Sequence, residues 1–476
     1  MLHNYTEKPV TLSTVLILAA LVLSAAALGA FTGLLPSPWA VIFIMIGVLI
    51  VGLIFRFPEF GLALYLFTST WKEAPVINTV DSRISTLVVL VLLIVLSLVY
   101  QLSVKQAGQR LAPKQKQNRA ILSLILFCGY LLSNALVFSD ANGLERAVRF
   151  SIFSLAVYFI LATLFSDKER LQKFIIWSFG LGLILCTIAV LNVLLLGTFS
   201  TYRGAGAFEE NYINAGRTAG ITLILAVATM LAVKGQSLRF ILIIGMLVSL
   251  AASIISYSRG AIVGILVTVF YLFWATGQLN NLKRLARIGL LVVVGAAVTI
   301  ILFSRFDFLS YSRFLWWNDT SGANISTGVR FGFYDTAVVR FLEHPVVGIG
   351  VSNFEAIDDY SGRIVRTYPH NIVLEVLAEL GIIGGFLFFP AVVYTFALAN
   401  KLIRQVRTTM QETECVIVYA LAGGFVFFLA VAMFSGSIEI NRYIWLFAFG
   451  LWIFDKIVNK TNARSSETPN AYRASY

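Results

Sequence analysis

Residues 369–384 read PHNIVLEVLAELGIIG. A polar stretch ends at Pro369, His370 and Asn371, and a largely apolar run starts at Ile372. Nine residues separate Asn371 from Gly381, and two more separate Gly381 from Gly384. The stretch marks a point where a polar loop re-enters the membrane as a helix, with His370 at or just before the helix N-terminus. The helix dipole there disfavours a protonated imidazole. A neutral imidazole at a membrane surface can accept a proton from a hydroxyl group; simple helix capping is the plainer role. Glu375 and Glu379 follow one turn apart on one face. Pairing with an arginine is expected of both, beside a sharper role in orienting partners or binding cations.

Composition sets the solvent. The chain has 476 residues, 58% of them hydrophobic and 13% charged, with a mean hydropathy of +0.85. A soluble domain carries about 25% charged residues, so most of this chain requires lipid around it. The expected fold is an all-α, polytopic integral membrane protein. The net charge of +12 does not point to nucleic acid, because the basic residues sit in short loops between apolar runs. Cys128, Cys186 and Cys415 lie far apart without metal-ligand spacing and read as packing residues. Lys8 precedes an apolar run that is long for a signal-peptide core, so a retained first span is expected.

Apolar runs fall near 12–34, 38–55, 58–71, 84–104, 120–138, 148–165, 171–197, 214–233, 239–257, 260–276, 287–304, 383–400, 416–434 and 438–455. The third is short and could be re-entrant, and the join between 239–257 and 260–276 is tight, so 12 to 14 spans are expected. Lysine and arginine clusters at 105–119, 168–173, 234–239, 283–287, 401–407 and 456–460 then fall on one side, the cytoplasm, together with both termini. The opposite side carries the long loop 305–370. It opens with aromatic residues from Phe306 to Trp317, read as an interfacial belt or a sugar-stacking wall. From Val329 to Glu343 the period turns helical, with Phe331, Tyr334, Val338 and Leu342 on one face. An amphipathic surface helix is expected there, ended by His344-Pro345.

Arg259 lies between two apolar runs at their external ends, where a lone arginine is costly unless it meets an anion or snorkels. Arg203 and Arg217 flank a second external segment, and Arg330 begins the amphipathic helix. Guanidinium forks suit phosphates. No convincing metal cluster and no nucleophile elbow is present in the sequence. The spans carry almost no mid-membrane acids of the kind coupled carriers use.

Four elements in order resemble the bacterial O-antigen ligase and polymerase superfamily. They are Arg203 with Gly206 and Phe208 through Asn211; Ser258-Arg259-Gly260-Ala261; Arg330 with Asp335-Thr336-Ala337, Pro345 through Gly350 and Phe354; and His370-Asn371 with Gly381 and Gly384. Tyr334 departs from the tryptophan that relatives often carry. The resemblance spans roughly 200–440, between N-terminal transmembrane helices (1–199) and a last helix end with a cytoplasmic tail (441–476).

That resemblance implies an inverting, metal-independent glycosyltransferase of the bacterial inner membrane, needing no cofactor. The donor would be a glycan on undecaprenyl diphosphate and the acceptor lipid A-core, at the periplasmic face. His370 would be the catalytic base. Arg259 and Arg330 would hold the diphosphate, with Arg203 and Arg217 as further contacts. Asn371, Glu375, Glu379, Gly381 and Gly384 would support the site. A polymerase joining lipid-linked repeat units is the alternative within the superfamily, which also includes a protein-targeting oligosaccharyltransferase. A membrane transporter is the alternative of another class, disfavoured by the lack of repeat symmetry.

Overall fold

The computed structural model describes residues 49–71, 91–97, 99, 119–165, 167–196, 212–280, 322–358, 363–409 and 411–467, with single positions 289, 293, 297 and 301. Arg203, the aromatic cluster from Phe306 to Trp317, the most N-terminal apolar runs and both termini lie outside these residues.

Helices dominate. They are α1 (Pro58–Leu66), α2 (Arg119–Phe138), α3 (Ala141–Leu164), α4 (Lys168–Leu196), α5 (Tyr212–Ala232), α6 (Gln236–Ile255), α7 (Arg259–Ala275), α8 (Gly322–Glu343), α9 (Ile372–Thr409), α10 (Glu412–Ala432) and α11 (Tyr443–Glu467). Seven of the described helices are long and apolar enough to cross a membrane, or eight if the segment Leu49–Arg56 and α1, bent by 116°, form one broken span. The chain is a polytopic all-α membrane protein. The short third run is the bent one, and α1 is almost wholly buried. Of the apolar window of α10, 89% is buried, against 33% for α4 and α6. So α10 is the axis of the bundle, while α4 and α6 turn broad faces outward.

The helices alternate in direction. Lys168 pairs with Glu414, and Lys401 with Asp455 at 3.2 Å, so these two basic clusters lie at the end of the bundle away from His370. The join between α6 and α7 takes only residues 256–258, with Tyr257 in the left-handed region at φ 56°.

At the His370 end, α8 ends at Glu343 before His344-Pro345, as the proline requires. It begins at Gly322, seven residues before the expected Val329. Its buried face is Val329, Phe333 and Ala337, packed on Phe354, Ala356 and Ala378. Phe331, Val338 and Leu342, the expected apolar stripe, face outward, where lipid headgroups and acyl chains suit them. The loop beyond holds an antiparallel pair, β1 (Glu355–Asp358) and β2 (Arg363–Arg366), with Glu355 opposite Arg366. Arg366 pairs with Asp140, whose carboxylate also caps α3 by accepting from Gly143 N at 3.0 Å. Both contacts hold the Asp140 carboxyl below the usual carboxylate range.

Candidate active site

The site is built on a broken helix. Gly381, inside α9, sits at φ 64° and ψ −164°, a conformation closed to other residues. The break frees backbone groups that lipid cannot satisfy. The segment Pro345–Gly350 takes them up. Ile349 N donates to Ala378 O and Gly350 N to Glu379 O, both at 3.0 Å, while Ile382 N donates to Pro345 O at 2.8 Å. Tyr130 and Asn134 of α2 close the rest: the Tyr130 hydroxyl donates to Leu380 O at 3.0 Å and Asn134 Nδ2 to Val347 O at 2.9 Å. A Cβ on Gly348 would stand 2.3 Å from Glu379 O. At Gly384 an added Cβ would meet that of Leu380 at 2.3 Å. Gly348 and Gly381 thus permit one backbone-to-backbone seam.

That seam sets the short N-terminal part of α9, and His370 stands at its mouth. Asn371, not His370, caps the helix: its Oδ1 accepts from Val373 N at 3.0 Å and Leu374 N at 3.2 Å. His370 is freed from capping and takes φ 58°. Its ring stacks on Phe333 of α8, with centroids 6.0 Å apart and planes at 11°, and lies 4.4 Å from Tyr368. Its Nδ1 is buried and has no hydrogen-bond partner among the described residues. Burial, and then the Arg330 charge, hold the imidazole down to about 4. It is neutral at physiological pH, with one ring nitrogen able to accept a proton. His344 is exposed.

Glu375 and Glu379 are buried at 3% and 2% exposure. No arginine reaches ion-pair distance of either among the described residues. Backbone amides replace the expected partner: Ile438 N stands 3.1 Å from both Glu375 oxygens, and Ser352 N stands 2.8 Å from Glu379 Oε2. The two carboxyls therefore pin the loops after α10 and before β1 onto α9.

Two clefts open around the first turn of α5. The smaller is lined by Tyr212, Tyr257, Arg259, Arg330 and Ser435. Arg259 and Arg330, from separate elements, share it as the sequence anticipates, and Arg330 also acts on His370. The larger cleft, about 770 Å³, is lined by Arg146 and Arg149 of α3, Arg217 of α5, Arg366 of β2 and Arg442, together with Tyr368. Arg217 forms the partition. It is 4% exposed, and its Nη2 donates to Ser435 O and Asn441 Oδ1, each at 2.9 Å. Sequence reading did not select Arg146, Arg149, Arg366 or Arg442. The signal was there for Arg146 and Arg149, which stand one turn apart at the same end of a span as Arg259, but only packing brings them to the others.

Residues 244–389 match the family model for O-antigen ligase. The match is a similarity confined to that segment. The matched segment contains Arg259, Arg330, His370, Gly381 and Gly384, and the whole Pro345–Gly350 seam. It leaves out Arg217 and three of the arginines of the larger cleft. A second similarity extends beyond it: a Rickettsia conorii protein provisionally named a polysaccharide ligase is 21% identical over 340 residues, covering 69% of this chain and 70% of its own length.

Proposed function

We propose that the protein transfers a glycan from undecaprenyl diphosphate to a hydroxyl of lipid A-core, at the periplasmic face of the bacterial inner membrane. The observation that carries this is the buried, unpartnered Nδ1 of a neutral His370, with Arg330 bridging to the Arg259 cleft. His370 takes the proton of the acceptor hydroxyl as its oxygen attacks the anomeric carbon. The bond to the diphosphate breaks in the same displacement, so the configuration inverts. Arg259 and Arg330 bind the diphosphate and stabilise the charge it gains on leaving. Arginines in this role supply the cationic charge that the reaction needs without added metal. Arg203 is a further contact for donor, and Arg217 contributes by holding the partition between the clefts.

The test uses the full-length protein in nanodiscs with chelator, an undecaprenyl-diphosphate glycan, and lipid A-core present or absent. A shifted lipid A-core band is expected, lost in His370→Ala while the protein remains inserted. A ladder of longer lipid-linked glycans formed without lipid A-core would make the enzyme a polymerase. Full transfer by His370→Ala would overturn the base assignment.

A further inference from the structure

The larger cleft has a charge imbalance that the reaction above does not use. Five arginines and two glutamates line it. Arg149 is paired with both glutamates, Glu145 and Glu439, and Arg366 is paired with Asp140. Arg146, Arg217 and Arg442 are left without an ion-paired carboxylate among the described residues. The buried Glu375 and Glu379 lie behind Arg146, beyond ion-pair distance. Arg217 is met only by neutral oxygens, and its Nε is buried without a hydrogen-bond partner. Arg442 is held by aromatic faces, 4.7 Å over the ring of Phe153, and its Nε is likewise unpartnered. Arg217, 4% exposed, is an uncompensated buried cation of the kind that is costly to keep, and unpartnered buried donors such as its Nε and that of Arg442 are rare in folded proteins. An acidic ligand would satisfy both.

We infer that this cleft is an acceptor subsite that takes a carboxylate or phosphate ester on the acceptor glycan. The assignment rests on the transferase reading, which gives the Arg259 cleft to the donor. In an inverting displacement, the acceptor attacks the anomeric carbon on the face opposite the departing leaving group. The Arg217 partition keeps the two clefts apart, and Tyr368, a wall of the larger one, sits against His370. An acid group held by Arg146, Arg217 and Arg442 would bring a neighbouring sugar hydroxyl to the base. The volume of about 770 Å³ lies within the usual range for sites that enclose a small ligand.

The test is binding of labelled probes to the full-length protein in nanodiscs, without donor. The probes are a short oligouronate, the same oligosaccharide after carboxyl reduction, and the reduced form carrying a phosphate ester. Acidic probes should bind at least about tenfold more tightly than the neutral one, the worth of one charge-assisted hydrogen bond. Comparison of the carboxylate and phosphate probes identifies the preferred acid. Arg146→Gln, at a half-buried position without an ion pair, should remove most of the preference. Arg442→Lys should keep part of it, and Arg330→Gln should leave it intact. Equal binding of neutral and acidic probes would overturn the inference, as would a preference that survives Arg146→Gln or disappears with Arg330→Gln. Acid-selective binding without glycan transfer from any lipid donor would retain the acidic-glycan site and sink the transferase reading. Equal transfer to acidic and reduced acceptors would do the reverse.

Discussion

The imidazole of His370 lies 4.4 Å from the ring of Tyr368, centroid to centroid, and that tyrosine also lines the arginine cleft. One side chain thus joins the proposed base to the larger cavity, while Arg330 joins it to the smaller. Burial raises the Tyr368 phenol above its ordinary value. Tyr368 stays neutral through the working pH range.

The pH profile follows from the two causes acting on His370. With neutral imidazole as the proposed base, kcat/KM should stay level from neutral pH downward and fall as pH drops through about 4. Removing one cause in Arg330→Gln should move this acid limb upward, toward the ordinary histidine value of about 6.5. An unmoved limb would contradict the electrostatic link. The same depression acts on folding: its contribution to stability is present above the unfolded value and is lost as pH falls through about 4.

Arg259→Ala should raise the donor concentration needed for half-saturation by about tenfold or more, as expected for loss of a charge-assisted contact. Acceptor saturation should change little. Initial rates over a donor series measure this, and an unchanged donor KM would contradict the diphosphate assignment.

Gly381→Ala should destabilise by about 3 kcal/mol through its forbidden backbone angles alone. The new Cβ would also stand 2.3 Å from Val346 O, a backbone atom with little room to move. Thermal unfolding in detergent should show a clear drop in Tm. A Tm equal to wild type would mean that the helix break closes without cost.

Asn371→Ala should cost about 1 kcal/mol, the ordinary worth of an N-cap. Asn371→Asp should recover most of it, because its carboxylate can accept from the same Val373 and Leu374 amides. A rate loss in Asn371→Ala at a temperature where the protein is fully folded would show that the cap also sets the pose of His370.

Much of this was legible in the sequence because lipid imposes coarse rules. Apolar run length gave the helices, and basic residues gave the shared end of Lys168, Lys401 and Arg407. Pro345 marked the end of α8, and His370 with Gly381 marked a loop passing into helix. The two apolar faces of α8 were harder. Both suit an interfacial helix, and period alone cannot tell that Phe333 packs inward while Phe331, 62% exposed, faces out. The four-residue strands were too short, and too rich in arginine and aspartate, to stand out. The arginine cleft depends on α3, α5, β2 and the Arg442 turn meeting in space, and no local pattern encodes that meeting.

The seam at Gly381 has a consequence for cutting the chain. Two of its hydrogen-bond donors, Tyr130 and Asn134, belong to α2, which precedes the matched family segment by more than a hundred residues. An excised 244–389 fragment would leave Leu380 O and Val347 O facing hydrocarbon without donors. The matched segment is therefore not a portable unit, and chimeras that exchange it should carry α2 from the same parent.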